Sequence, residues 1–307
     1  MWFVFALLTT LAWGCADLFY KKGADESQPY SHLRISIFVG LVMGIHAIYM
    51  LIFSVPEYDF RNILIYAPVS VMYILSMVCG YFGLRYLELS ISSPIQNSSG
   101  AVSCILCLIF LGQTLDFPTA VAVILISLGV LLLGIFEKQK EDLYEKTENK
   151  KYKIGFVAFF MPILYCIIDS LGTFFDAYYL DDIDATPLLG VTPENFENVA
   201  NISYELTFLL VAIILFIYVF VIKREKFSPA KLSVTRTTAA VFETVGQFFY
   251  VYAMSGNGAV AAPLIGSYCM VSVALSAIFL REKLPFKQYI AIAVTFAGIL
   301  LLSIIEG

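Results

Sequence analysis

Long apolar runs separated by short polar breaks dominate the chain. They cover residues 2–20, 35–54, 62–84, 91–111, 117–136, 154–178, 203–222, 234–254, 260–280 and 286–305. A run of about 20 residues, at 1.5 Å per residue, is long enough to cross the hydrocarbon of a bilayer as a helix. Barrel strands would instead alternate apolar and polar positions over about ten residues. The pattern therefore predicts an all-α membrane protein of ten transmembrane helices. The first run has no basic stretch before it and no A-x-A exit, and Trp13 is too bulky for a lipobox. It is expected to remain as the first helix.

The breaks carry the charge. Lys21, Lys22 and Arg34, then Arg85, then the basic residues of 138–153, then 223–236, then Arg281, Lys283 and Lys287 all fall in or beside the odd-numbered loops. Those are 18 of the 19 Lys and Arg residues; only Arg61 lies in an even loop. The positive-inside bias then places the odd loops in the cytoplasm and both termini outside, in an inner or plasma membrane. Residues 138–153, charged with both signs, read as a cytoplasmic linker between a first half, 1–137, and a second, 154–307. Residues 181–201 carry five acids and no base and read as an external loop, ending at the sequon Asn201-Ile202-Ser203.

Composition agrees with lipid as part of the solvent. Of 307 residues 60% are apolar and 14% charged, against roughly 25% charged in soluble domains. A net charge of −5 without a clustered basic surface argues against nucleic acid. The six cysteines sit inside apolar runs, and the lone Cys104-x-x-Cys107 has neither a second pair nor a nearby His. No metal site, no cofactor motif and no nucleophile–base set is visible, so no enzymatic activity is expected.

The two halves repeat. Residues 94–134 slide onto 263–303 without a gap: Pro94 meets Pro263, Ser98 meets Ser267, Ser103 meets Ser272 and Gly129 meets Gly298. A second register sets Trp13 against Tyr165 and Asp17 against Asp169. Five helices per half make the second half enter the membrane from the opposite face, so the repeat is inverted. Inverted repeats are a recurrent device for alternating access around a site near the midplane.

Trp13-Gly14 in the first helix, Ser93-Pro94 opening the fourth, Gly129 and Gly298, and Leu280-Arg281-Glu282-Lys283-Leu284 closing the ninth resemble the EamA-type branch of the drug/metabolite transporter superfamily over nearly the whole chain. The first half departs at Gly112-Gln113, where that family usually shows Gly-Glu, and Gly100 and Cys269 stand where a mid-helix proline is often found. The resemblance implies a secondary carrier of amino acids, amines, sugars or nucleotide-linked metabolites, often proton-coupled.

Ionisable residues at membrane depth usually face a cavity or a partner. Asp169, Thr173 and Asp176 form one helical stripe, and Glu243, Gln247 and Tyr250 another. Asp17 is spaced to pair with Lys21 at i+4, and also aligns with Asp169. His46, mid-helix, is a candidate proton relay or a structural hydrogen-bonder; Glu205 and Arg34 read as interfacial. Gln96-Asn97-Ser98-Ser99-Gly100 after Pro94, and Gly266-Ser267-Tyr268 after Pro263, mark stretches where loosened backbone can line a cavity or where small residues pack. Trp13, Tyr73, Tyr81, Tyr165, Tyr250 and Tyr268 can form an aromatic wall. Aromatic faces with buried carboxyls suit a cation, and no Arg or Lys lies deep in a helix to hold a phosphate.

The expectation is thus a secondary active transporter of a small polar or cationic organic metabolite: an amine, a quaternary amine or an amino acid. The expected substrate-binding residues are Glu243, Asp169, Gln247, Tyr250, Tyr165, Trp13, Tyr73, Gln96, Asn97, Ser267 and Tyr268. Asp169, Glu243, Asp17 and His46 are the proton-coupling candidates. The alternatives are an exporter of drugs or a broad set of metabolites, and a channel or lipid scramblase. Its partners would be the substrate, protons and the bilayer, with the chain a monomer or homodimer.

Overall fold

The structure is a computed structural model that describes residues 1–25, 27–145, 155–255 and 257–306. The described residues are helices and connecting turns, with no strand. Every apolar run falls on a helix: α1 (Trp2–Gly23), α2 (Ser31–Phe53), α3 (Ala67–Leu84), α4 (Leu89–Leu111), α5 (Phe117–Glu145), α6 (Gly155–Leu180), α7 (Phe196–Ile222), α8 (Ala230–Met254), α9 (Gly258–Leu280) and α10 (Phe286–Glu306). Among the described residues nine of these are long and apolar enough to cross a membrane. The exception is α8, whose face carries Arg236, Glu243, Thr244 and Gln247, all buried. Large apolar side chains such as Ile45, Phe110, Val221 and Ile278 point out of the bundle, as lipid contact requires.

Some boundaries differ from expectation, for local reasons. The run at 62–84 is broken: Asn62–Ile65 makes a single turn before α3, whose first turn contains Pro68. Proline lacks an N–H and is accommodated best in the first turn of a helix. Helix α7 starts at Phe196, seven residues earlier than predicted, because Phe196, Val199, Ala200 and Ile202 are buried although polar neighbours separate them. Asn201 is consequently inside that helix, fully buried, with its amide donating to the Phe248 carbonyl at 3.4 Å. That placement removes the sequon as a surface acceptor. Helix α5 continues to Glu145, into the expected linker; the remainder of that linker, 146–153, lies outside the described residues.

Helix pairing crosses the two halves. Helix α1 lies along α8, α3 along α6, α2 along α7 and α5 along α10, with α4 and α9 packed together in the middle. Exchanging α1 with α6, α3 with α8 and each other helix with its mate turns this set into itself. Close approach is made by glycine: a Cβ on Gly44 would meet the Leu209 side chain at 2.6 Å, and one on Gly298 would meet the Ala122 carbonyl at 2.9 Å. Small residues at such crossings let backbones pack tightly where lipid offers no hydrophobic drive.

The 94–134 to 263–303 register recurs in the backbone. Helix α4 is interrupted at Ser98 and α9 at Ser267, each four residues after its proline. Both helices then widen to π-helical turns, at Cys107–Leu111 and Ser276–Leu280. Both end in a left-handed residue, Gly112 (φ 67°) and Arg281 (φ 59°).

Candidate functional site

Helices α1, α3, α4, α6, α7, α8 and α9 line a central cavity of about 60 Å³, room for a few water-sized groups. Three carboxyl side chains line it: Asp17 from α1, Asp169 from α6 and Glu243 from α8. Two serine hydroxyls clasp each aspartate. Ser93 and Ser272 donate to Asp17 Oδ2 at 2.6 and 2.7 Å. Ser76 donates to Asp169 Oδ1 at 3.3 Å and Ser99 to Oδ2 at 2.7 Å. Glu243 is held differently, by the Tyr20 hydroxyl at 3.1 Å. The interruptions in α4 and α9 fall at this depth, and Gln96, Asn97, Ser99, Gly100, Gly266 and Tyr268 beside them all reach the cavity.

Aromatic rings form most of the remaining wall. Trp13 stacks on Tyr250 at 5.1 Å between centroids and meets Tyr268 edge-on at 5.7 Å, while its indole N–H donates to the Glu243 carbonyl at 3.3 Å. Tyr73 shares hydrogen bonds with Tyr250 at 2.6 Å and Thr173 at 2.8 Å. Tyr20 leans on Tyr81 at 4.6 Å, and Tyr165 and Tyr204 complete the ring set. Among the described residues lining the cavity there is no Lys, Arg or His.

Of the sequence-predicted site residues, the cavity brings together Trp13, Asp17, Tyr73, Gln96, Asn97, Tyr165, Asp169, Glu243, Tyr250 and Tyr268. Gln247 is buried but turned off the cavity, and Ser267 spends its hydroxyl on the Leu264 carbonyl at 2.6 Å. His46 lies elsewhere, with Nδ1 2.8 Å from both Glu205 carboxyl oxygens in the α2–α7 contact. Glu205, expected at the interface, is fully buried there. Asp17 faces the serines, and Lys21, one turn on, donates to the carbonyls of Leu84 and Leu87 at 2.8 and 2.6 Å. Sequence reasoning misses Tyr20, Tyr204 and the serines Ser76, Ser93 and Ser272 as site residues. Tyrosine and serine are equally at home in belts and helix contacts, so neither type carries a signal of its own.

Side-chain latches tie the helices at both ends of the bundle. At the end carrying residues 24–30, the fully buried Arg236 of α8 donates to the Gly23 carbonyl at 3.1 Å, Ser228 at 2.6 Å, Gln28 at 3.1 Å and Ser31 at 3.0 Å. Arg34, also buried rather than interfacial, binds the Lys226 carbonyl at 2.7 Å and Glu225 at 3.4 Å. In the same turn the Ser27 hydroxyl holds the Asp25 carboxyl below the usual carboxylate range. At the other end the Tyr66 hydroxyl donates to Asp176, and the Asn62 amide both donates to and accepts from Leu189 at 2.9 and 2.8 Å.

A bundle of apolar helices thus surrounds an acid- and tyrosine-lined cavity. The sequence matches the EamA-like transporter family over residues 1–135 and 201–304, and the chain belongs to that family. It is 26% identical over 133 residues to an uncharacterized protein of Methanocaldococcus jannaschii, a match spanning 43% of this chain and 95% of the archaeal one. A crystal structure of a protein 11% identical shares the fold with a TM-score of 0.64, over 99% of this chain and 96% of its own.

Proposed function

We propose that this chain is a secondary active transporter of a small organic cation, an amine or quaternary amine, exchanged against protons by alternating access. One observation carries the reading: Asp17, Asp169 and Glu243 line a single cavity whose lining residues include no Lys, Arg or His. Burying three carboxylates without counter-charge costs several kcal/mol each. The cavity therefore changes sides only with protons or a cation bound, and that requirement is a coupling rule. The eight aromatic side chains of the wall favour an ammonium over a neutral solute. An amino acid is the less suited member of the expected class, since the lining residues offer its carboxylate no Lys, Arg or His.

The architecture proposed to do this is ten spans in two inverted five-helix repeats, with both termini outside the cell membrane. The helix exchange described above, the shared interruptions of α4 and α9, and the half-length archaeal relative support it. Arg236 on α8 and Tyr66 before α3 are then the inner and outer latches, released alternately. Glu243 lies two turns along α8 from Arg236, on the same face, so movement of the latch carries the site with it.

The test uses purified protein in liposomes loaded at acid pH and diluted into alkaline buffer, with an internal pH dye and protein-free liposomes as background. A panel of amines, quaternary amines and amino acids is added outside. Saturable proton exit is expected with one or more cations, and Asp17→Asn and Asp169→Asn should each abolish it. No saturable exit with any cation, or variants that match the parent, overturns the proposal.

A further inference from the structure

Resting on that reading, the geometry points to a narrower substrate: we infer that the site takes a diamine, one ammonium on Asp17 and the other on Asp169. The two aspartates are register mates from the two halves, and both line the cavity. They are nevertheless held apart. Asp17 is anchored to Ser93 and Asp169 to Ser99, six residues on and past the interruption at Ser98, an offset of about 9 Å at the helical rise. Among the described residues, no three His, Cys, Asp or Glu side chains converge as a metal ion would need. A single ammonium would neutralise one aspartate and leave its mate, equally buried, to be charged alone or protonated. A flexible chain with an ammonium at each end meets both.

The cavity wall suits that chain. Gly100, Ala262, Ile265 and Met77 supply apolar surface for methylenes, and Trp13 and Tyr165, themselves register mates, also line the cavity, each one helical turn before its aspartate. Each serine pair already satisfies part of its aspartate, so an ammonium has a fixed carboxyl to find rather than a mobile one. Glu243, tied to Tyr20 alone among the hydrogen bonds to its side chain described above, is left as the carboxyl that carries a proton when the diamine is bound. On the return step Asp17 and Asp169 take one proton each in place of the two ammonium groups, so charge balances at two protons per diamine.

The experiment measures binding to the purified full chain in lipid nanodiscs by thermal shift. The probes are α,ω-diamines of about three to six carbons and the matching monoamines, at equal ionic strength. The expected result is a diamine of one preferred length binding at least about tenfold tighter than its monoamine, as a second tethered contact provides. Asp17→Asn and Asp169→Asn should each bring that ratio to near one. Asp17→Glu and Asp169→Glu should instead keep the preference and shift it to a shorter diamine, because each adds a methylene to the anchor. The Glu variants keep the test sound if the Asn variants do not fold. Equal binding of diamines and monoamines overturns this inference and leaves the cation reading standing. Binding of neither also overturns this inference, and the quaternary amines of the liposome panel then decide the cation reading.

Discussion

Gln113 accounts for a departure from the family pattern that has no visible reason in the sequence. Its register mate is Glu282, whose carboxyl accepts the Leu89 and Ser90 N–H groups at 3.1 and 3.0 Å and so caps the N-terminus of α4. Gln113 does the reciprocal service for α9, its Oε1 accepting the Ala259 N–H at 2.9 Å. Its amide also donates to Asp181 at 2.6 Å, which a glutamate could not do. We predict that Gln113→Glu sets two carboxylates against each other and lowers stability by about 1 kcal/mol, and that adding Asp181→Asn restores most of it. A double-mutant cycle on thermal midpoints checks this; additive losses would remove the pairing argument. At this scale the sequence is most legible where charge breaks an apolar run, which is why Asp17, Asp169 and Glu243 stand out along the chain. The partners of those residues are not legible. Tyr20 lies 223 positions from Glu243 and His46 lies 159 from Glu205, and no local spacing announces such pairs.

Among the elements, α5 and α10 show how the membrane bundle is held. Gly298 of α10 has no room for a side chain: a Cβ there would sit 2.9 Å from both the Ala122 carbonyl and the Ile126 N–H nitrogen of α5. Backbone cannot swing aside, so Gly298→Ala should force the pair apart and cost about 1–3 kcal/mol, as overpacking does. Gly134 on α5 is the control, because a Cβ there meets Ile95 at an ordinary 3.6 Å. Gly134→Ala should be neutral or stabilising by up to about 1 kcal/mol through helix propensity. Thermal unfolding of both variants in one detergent decides the matter, and equal losses would show that glycine close packing is not what joins α5 to α10. Element positions are readable because hydrophobic length is so strong a signal. Starts are harder: Phe196 to Ile202 alternates buried apolar groups with Glu197, Asn198 and Asn201. That stretch reads as loop, and only its packing reveals a covered face.

For the whole molecule the open structural matter is α8, the helix too polar to count as a span by composition. Its polarity has a cause at this scale, since Arg236 works in one latch and Glu243 in the cavity, both shielded from lipid by neighbouring helices. A helix with its polar groups turned inward crosses a bilayer without exposing them. The basic-residue bias agrees, because removing α8 as a span would move the basic group at 281–287 to the face opposite the other odd loops. The two countings separate cleanly by labelling. In a variant with the six native cysteines replaced, a cysteine at Thr192 and one appended after Gly307 report the external loop and the C-terminus. With ten spans both react with a membrane-impermeant maleimide on intact cells, and Lys150→Cys reacts only after permeabilisation. With nine, Thr192→Cys and the appended cysteine fall on opposite faces, the repeats are no longer inverted copies, and alternating access through a shared midplane site loses its symmetry.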